Sequence, residues 1–340
     1  MINRTKKITA LLIAGTMMTA SFAGCGNTTN SGSSAVTTTA AGKPLKGGGM
    51  GGGAAAVDTS SITTKYLNVA YAKASSTETL DVYLPNEGKG PFPVIIAVHG
   101  GAFKSGDKTG ELSYLSTALA AGYAVVSVNY RLSGEAIFPA AINDVKAAIR
   151  FIRANASKYT INPDKIALWG GSAGGNLVSL AGTTGGTNDL YDSSLGNANV
   201  SDDVTAVVDW FGPIYFSRMD DQFAELGTSA AMGATNSANS PESVYLGKTV
   251  GTDEAEPLVK KASPETYITS DDPAFYIQHG TADGNIPITQ SKDFSSALTK
   301  VIGDTNVSFN TIEGAGHGTS EFTTAENLAK VIAWLDKFMK

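Results

Sequence analysis

One serine in this chain lies in a sequence that could make it a nucleophile. Ser172 sits in Gly170-Gly171-Ser172-Ala173-Gly174, directly after the alternating apolar run 165–169 and directly before the apolar helical segment 175–181. A strand, Gly-x-Ser-x-Gly and a helix in that order are typical of a nucleophile elbow, whose sharp turn exposes the serine hydroxyl. Glycines without a Cβ let strand and helix approach closely there. The alternative is a glycine-rich turn that binds phosphate or has no function.

A nucleophilic serine needs a base, and the chain offers three histidines. His317 lies in the glycine-rich segment 313–318, just after the last predicted strand, and is the predicted base. His99 precedes two glycines on the loop that should supply N–H donors for a developing oxyanion, so we expect it to brace that loop. His279 ends a predicted strand and is expected to be a structural histidine.

The base in turn needs a carboxylate that orients it. Asp283 lies on the loop after the penultimate predicted strand, at the edge of the sheet where the serine should be. Asp271 and Asp272 precede that strand and Asp304 precedes the last one, which places them at the opposite edge. We therefore predict Asp283 as the acid, in the chain order Ser, Asp, His that α/β-hydrolases use.

Backbone N–H groups complete the predicted chemistry. Ala173, which follows the serine, should donate one hydrogen bond to the oxyanion, and Gly101 and Ala102 should donate others. Substitution of a side chain cannot delete such donors.

Aromatic residues near these positions have two interpretations. Phe103, Trp210 and Phe211 could line a substrate pocket, whereas aromatic residues after a strand are also common in a core. Asp144, on a predicted helix, could pair with Arg131, could brace the oxyanion loop or could be an exposed helix carboxylate.

The elements that must position these residues alternate between strands and helices. Predicted strands are 66–72, 79–84, 93–98, 123–129, 165–169, 204–211, 274–278 and 307–312, and predicted helices are 112–121, 139–156, 175–181, 289–301 and 323–338. Most strands are apolar throughout, as in a parallel sheet covered on both faces. This pattern predicts an α/β fold with a mainly parallel, doubly wound sheet that opens with an antiparallel pair. Segments 182–202 and 213–265 are too long for simple loops and form either a small cap or surface decoration.

Composition fits one large catalytic domain, predicted at 62–340. The chain has 340 residues, of which 42% are hydrophobic and 16% charged, so there is ample material for a core. The net charge is −6 and no basic stripe is visible, so we do not expect nucleic acid as a partner. The only cysteine, Cys25, lies outside this domain, which leaves no thiol for metal binding or catalysis in it.

The N-terminus has the pattern of an export signal. Basic residues precede an apolar run, 8–23, and Phe22-Ala23-Gly24-Cys25 follows the pattern of a bacterial lipoprotein signal. We expect 1–24 to be a signal peptide, Cys25 to carry the lipid that anchors the protein to a membrane, and 25–61, rich in Gly, Ser and Thr, to be a flexible tether. The alternative is an ordinary secretory signal.

Taken together, the motifs resemble those of a known group of enzymes. The matching segments are His99-Gly100-Gly101-Ala102-Phe103, Asn129-Tyr130-Arg131-Leu132, Gly170 to Gly175, His279-Gly280 with Asp283, and Gly316-His317-Gly318. From about residue 66 to 340 the chain resembles serine esterases of the α/β-hydrolase fold, in the branch of hormone-sensitive-lipase-like and xylan side-chain (feruloyl or acetyl) esterases. The resemblance implies hydrolysis of carboxylic esters through an acyl-enzyme, with no metal and no organic cofactor.

Three departures from that group bear on the substrate. Ala102 replaces a frequent third glycine, Gly171 replaces an Asp or His, and the N-terminal helical cap of the lipase branch has no counterpart. These departures favour a short acyl group, or an acetyl or feruloyl ester on a polysaccharide, over a long lipid. A serine exopeptidase and a non-catalytic surface-binding module on the same fold remain alternatives, and the oligomeric state stays open.

Overall fold

The computed structural model describes residues 57–110 and 112–340. The predicted signal peptide 1–24, Cys25 and the predicted tether up to residue 56 lie outside the described residues. Residues 57–61, predicted as the end of the tether, instead lie against the domain, because Val57 packs on the same core cluster as the buried Ile62. The folded part therefore begins before the predicted boundary at 62. No helix within the described ranges has the length and apolar character needed to cross a membrane.

Sixteen helices and strands, labelled in chain order, make up this part of the molecule. They are β1 (Lys65–Ala70), β2 (Thr79–Tyr83), β3 (Phe92–Val98), α1 (Leu115–Ala120), β4 (Ala124–Val128), α2 (Ala140–Ala154), β5 (Ile161–Gly171), α3 (Ala173–Thr183), β6 (Ala206–Trp210), α4 (Met219–Glu225), α5 (Pro241–Leu246), α6 (Glu256–Ala262), β7 (Ala274–Gly280), α7 (Thr289–Ile302), β8 (Val307–Ile312) and α8 (Ala325–Met339). Short 3₁₀ segments occur at Ser193–Leu195, Phe216–Arg218, Pro264–Tyr267 and Ser320–Thr323.

The strands form one eight-stranded sheet in the order β1-β2-β4-β3-β5-β6-β7-β8. β1 pairs antiparallel with β2, and β2 pairs antiparallel with β4. From β4 to β8 every neighbouring pair is parallel. The predicted opening antiparallel pair and mainly parallel sheet are therefore confirmed.

The inner strands of the sheet are buried on both faces, which explains their continuous apolar runs. In β3, Val94 and Ile96 belong to one core cluster, whereas Ile95 and Ala97 belong to the other. Successive side chains of a strand point to opposite faces, so the two clusters lie on opposite sides of the sheet. This is the doubly wound arrangement that the sequence predicts.

The parallel strands bring the chemistry-bearing loops to one edge. His99 follows β3, Ser172 follows β5, Asp283 lies beyond β7 and His317 lies beyond β8. Because the carboxyl ends of parallel strands meet at the same edge, four loops distant in sequence become neighbours.

Two buried cationic side chains of α2 anchor the first long insertion, 182–202. Lys146 and Arg150 are both fully buried and both face the carboxylate of Asp202, at 3.3 and 3.8 Å. Lys146 also donates to the carbonyl oxygens of Thr184 (2.7 Å) and Asp189 (2.9 Å) and to Thr184 Oγ1 (3.2 Å). Arg150 donates to the carbonyl oxygens of Asp192 (2.8 Å) and Gly196 (3.2 Å). The insertion is thus an anchored surface loop.

Candidate active site

Ser172 occupies the tip of a strained turn between β5 and α3. Its φ is 56° and its ψ −124°, a conformation in which a non-glycine residue is costly. Its N–H donates to the carbonyl oxygen of Trp210 at 2.9 Å, and its carbonyl oxygen accepts from Asn176 N–H at 3.1 Å. A Cβ at Gly170 would lie 2.5 Å from the carbonyl group of Gly174. The glycine spacing of the motif is therefore a packing requirement of the elbow.

The three residues predicted to form the reacting group lie in one hydrogen-bonded line. Ser172 Oγ is 2.9 Å from His317 Nε2, and His317 Nδ1 is 2.8 Å from Asp283 Oδ2. With the imidazole Nδ1–H donating to the carboxylate, Nε2 is free to accept the serine proton. This geometry is the one that nucleophilic activation of a serine requires.

Asp283 is buried, yet several donors stabilise its charge. Its Oδ1 accepts the N–H groups of Asn285 (2.8 Å) and Ile286 (3.0 Å). Burial raises the pKa of Asp283, but hydrogen bonds from His279 and His317 outweigh it and hold that pKa well below its usual range. The carboxylate is therefore ionised at neutral pH.

His279 does more than the sequence suggested. Its Nε2 faces two acceptors, the carbonyl oxygen of Ile286 at 3.1 Å and Asp283 Oδ2 at 3.3 Å, so this nitrogen carries the proton. Its Nδ1 then accepts from Ser291 Oγ–H at 2.7 Å. His279 is a satisfied structural histidine, as predicted, and it also steadies Asp283. Sequence analysis missed that second contact because nothing in a strand end shows which loop atom its side chain reaches.

The loop after β3 is wound tightly beside the serine. Gly101, Ala102 and Phe103 all have positive φ, at 105°, 57° and 59°. The carbonyl oxygen of Gly101 accepts from the N–H groups of Lys104 and Ser105, both at 3.0 Å. Ala102 and Ala173 line the cleft above Ser172, whereas Gly101 is not among the lining residues.

His99 lies under this loop, where we expected a bracing residue. Its Nδ1 is 2.8 Å from the carbonyl oxygen of Gly100, and its ring stacks on Tyr130 at 4.3 Å. Tyr130 Oη–H donates to the carbonyl oxygen of His99 at 2.8 Å. Burial lowers the pKa of His99, so the ring is neutral and Nδ1–H donates.

Asp144 forms a buried ion pair, one of the alternatives left open. Arg131 Nη2 is 2.6 Å from Asp144 Oδ1, and the Arg131 N–H donates to Oδ2 at 2.8 Å. Burial raises the pKa of Asp144 to about 6, although the hydrogen bonds from Arg131 act in the opposite direction. The pair fixes the segment after β4, whose Tyr130 holds the His99 loop.

Two of the three aromatic residues proposed for a pocket belong to the core. Trp210 is 1% exposed and packs edge-on against Trp169 at 5.0 Å, so the pocket assignment is wrong for it. Phe211 is fully buried and packs behind the His317 ring at 4.7 Å, which makes it a support of the imidazole and corrects its assignment too. Phe103 does line the cleft, with its ring stacked on Tyr245 at 4.0 Å.

The second insertion, 213–265, forms a small cap over the serine. The cleft is lined by Ala102, Phe103, Ser172, Ala173, Pro213, Met219, Ala230, Met232, Gly233, Thr235, Pro241, Glu242, Asn285, Ile286 and His317. Eight of these residues come from the insertion, which decides between the cap and the loop decoration that the sequence left open. The cleft has a volume of about 30 Å³. Met232, Glu242 and Asn285 were missed, since no motif or periodicity marks them.

Within residues 57–110 and 112–340, no group of three or more His, Cys, Asp or Glu side chains could hold a metal ion.

Comparison with known proteins finds esterases. LipM of Mycobacterium tuberculosis, a probable carboxylic ester hydrolase, is 32% identical over 242 residues, which cover 69% of this chain and 52% of LipM. The structure of a truncated carbohydrate esterase from gut microbiota is 33% identical with a TM-score of 0.75, covering 83% of this chain and 98% of that one. A bifunctional GH43-CE of Bacteroides eggerthii is 35% identical with a TM-score of 0.72, covering 81% of this chain and 35% of that one. The chain spans about half the length of the curated relatives it matches.

The chain has the α/β-hydrolase fold and is similar to esterases, which places it in the class of α/β-hydrolase-fold proteins. Within that class the chain belongs to the BD-FAE family, whose model matches residues 80–298.

Proposed function

We propose that the protein hydrolyses carboxylic esters through an acyl-enzyme formed on Ser172. The observation that carries this proposal is the hydrogen-bonded line from Ser172 through His317 to Asp283, built at the edge of the sheet beneath a cap. Esterases among the relatives support the same reaction class.

In the proposed reaction, Ser172 Oγ attacks the carbonyl carbon of the ester while His317 Nε2 takes the serine proton. The developing oxyanion accepts the N–H groups of Ala173 and of the Gly101–Ala102 loop. His317 then protonates the departing alcohol oxygen, which breaks the ester bond and leaves the acyl group on Ser172. Water, deprotonated by the same imidazole, releases the acid, and Asp283 stabilises the imidazolium at both stages.

The size of the cleft favours a short acyl group. The enclosed space beside Ser172 is only about 30 Å³, and the rest of the cleft is open to solvent. Of the substrates considered from sequence, an acetyl ester therefore fits better than a feruloyl ester. The carbohydrate esterase among the solved structures supports an ester carried by a carbohydrate.

Hydrolysis of nitrophenyl esters of increasing chain length, acetylated xylan and methyl ferulate tests this proposal. The wild type should turn over acetyl esters best. Ser172→Ala should lose essentially all of that turnover, whereas Ser116→Ala, at an exposed serine of α1, should retain it. Ester turnover that survives Ser172→Ala would refute the mechanism.

The two alternative functions have their own readouts. A binding module would leave a fluorophosphonate probe unreacted, and an exopeptidase would also cleave amides. Labelling of the wild type but not of Ser172→Ala, without amide cleavage, is the expected result.

We also propose export and lipid anchoring through Cys25, on the strength of the N-terminal pattern. Incorporation of labelled palmitate into the full chain, lost in Cys25→Ser, tests this proposal. Equal labelling of the variant would refute it.

A further inference from the structure

A carboxylic acid side chain lies in the wall of the cleft and takes no part in the proposed reaction. Glu242 is in the first turn of α5, and the residue is only 7% exposed. It lines the same small cleft as Ser172 and His317. A buried carboxylate in contact with a reaction cleft needs a reason, because removing its charge from water is costly.

The other buried carboxylates of the described chain have donors at hand, and Glu242 does not. Glu78 accepts the N–H of Ala74 at 2.6 Å, Asp81 faces Lys108 at 3.2 Å, and Asp144 pairs with Arg131. Asp202, Asp209 and Asp283 likewise accept hydrogen bonds from other residues. Across residues 57–110 and 112–340, the only donor to the Glu242 carboxyl is its own backbone N–H. A carboxylate kept for structure would be expected to be paired.

The charges around Glu242 do not supply the missing partner. Asp220 of α4 carries the same sign and raises the pKa of Glu242. Lys104, on the loop after β3, lowers that pKa without forming an ion pair with Glu242. Burial is the main cause that raises the pKa of Glu242, to about 7. An acidic residue in the first turn of a helix is commonly an exposed one that complements the helix dipole, and the burial of Glu242 does not fit that role.

The helix that carries Glu242 is held in position beside the cleft by contacts of its other residues. Tyr245, on the same helix, stacks on Phe103 of the loop after β3 at 4.0 Å, with ring planes 8° apart. The Tyr245 carbonyl oxygen accepts from Phe138 N–H at 2.8 Å. Ser240 Oγ caps the helix by accepting from Ser243 N–H at 3.1 Å. These contacts fix α5, and with it the backbone that carries Glu242, in the wall of the cleft that Ser172 also lines.

We propose that Glu242 is a specificity-determining residue that accepts a hydrogen bond from a hydroxyl group on the alcohol part of the ester. The preferred substrate then carries a free hydroxyl next to the scissile ester, as a partly acetylated sugar does. An acetyl group carries no hydroxyl, so in an acetyl ester the hydroxyl lies on the alcohol part. This inference rests on the proposed esterase function.

Matched substrates that differ by one hydroxyl test the proposal. One pair is a mono-acetylated methyl xyloside and its deoxy analogue, in which hydrogen replaces the neighbouring hydroxyl. A second pair, 4-nitrophenyl glycolate and 4-nitrophenyl propionate, places the hydroxyl on the acyl side. Wild type, Glu242→Ala and Glu242→Gln are compared with Glu225→Ala, an exposed carboxylate of α4 outside the cleft.

We expect the wild type to prefer the hydroxylated sugar by about 10- to 100-fold in kcat/KM, as one hydrogen bond to a charged group allows. Glu242→Ala should abolish that preference, and Glu242→Gln, which keeps the shape of the side chain, should retain a small part of it. Glu225→Ala should leave the preference unchanged.

Each failure points to a different error. If the wild type hydrolyses these esters with dependence on Ser172, but the Glu242 variants lower both members of each pair by the same factor, the inference is wrong and the esterase stands. If only the glycolate pair responds, the hydroxyl lies on the acyl group and the assignment to the alcohol part is wrong. If the wild type hydrolyses none of them, the proposed function itself fails, and this inference fails with it.

Discussion

Replacing Gly174 with alanine should push the turn between β5 and α3 away from the backbone at the end of β3. Gly174 is the second residue of α3 and lies directly against the end of β3. A Cβ there would sit 2.8 Å from the carbonyl oxygen of His99, 2.9 Å from its carbonyl carbon, and closer still to the carbonyl oxygen of Val98. Each of these neighbours is backbone, so no side chain can rotate away to make space.

Relief of this overlap requires a helix and a strand to separate by several tenths of an ångström to about 1 Å. Overpacking commonly costs about 1–3 kcal/mol and occasionally more, and two backbone partners place this case at or above the upper end. Alanine recovers about 1 kcal/mol of helix propensity. A net loss of about 2–3 kcal/mol corresponds to a fall in Tm of about 3–5 °C for a domain of this size. Displacement of Ser172 relative to the Ala102 loop by as much as 1 Å would cost about 100-fold in turnover.

Thermal unfolding by circular dichroism and kcat/KM for 4-nitrophenyl acetate measure the two effects. Gly134→Ala is the matched control, because a Cβ at Gly134 would meet nothing within 4 Å and its φ is not positive. The control should change Tm by no more than about 2 °C and leave turnover within about twofold. The same small changes in Gly174→Ala would refute the claim that the glycine spacing is set by backbone contact.

Two further predictions concern carboxyl groups. Asp283→Asn should lower kcat at pH 7 by about 10⁴-fold, because an amide no longer selects the tautomer in which His317 Nε2 accepts the serine proton. A fall of less than about tenfold in nitrophenyl acetate turnover would contradict that role. Burial raises the pKa of Glu242 to about 7 in the folded protein, whereas an unfolded glutamate titrates near 4.3. Between about pH 4 and pH 7 the unfolded state has lost this proton while the folded state still holds it, so the stability of the fold decreases as the pH rises. Urea unfolding should show Glu242→Gln to be more stable than wild type by up to about 3 kcal/mol at pH 8, and the difference should vanish near pH 4. Equal stability of the two proteins at both pH values would show that the carboxyl is not desolvated.

The three residues of the hydrogen-bonded line were predictable because each has a recognisable local sequence and the fold brings these segments together. Ser172 is identified by the glycines that the elbow requires. Asp283 follows β7, which begins with an apolar run, and His317 follows β8, in which apolar and polar residues are mixed. Once the strands are parallel, residues beyond their carboxyl ends must converge. Local pattern and one rule of topology were therefore enough for the line of three residues.

The lining of the cleft was not predictable in the same way. In a sheet buried on both faces, alternation along β6 does not reveal which side chain approaches the site, so Trp210 and Phe211 could be core or pocket. Glu242 lies in a six-residue helix of an insertion without periodicity. The orientation of that helix is set by the stacking of Tyr245 on Phe103, a contact between segments about 140 residues apart that no local pattern encodes.

The anchoring of the first insertion has a consequence for how its sequence can vary. Apart from the Asp202 carboxylate and the Thr184 hydroxyl, the partners of Lys146 and Arg150 are main-chain oxygens, which every residue type provides. The path of the rest of the insertion therefore depends little on the side chains it carries. Apart from Gly186 and Gly196, whose φ values are positive, its exposed positions are free to drift during evolution. The same segment would accept a grafted epitope or an affinity tag while α2 keeps its backbone in place.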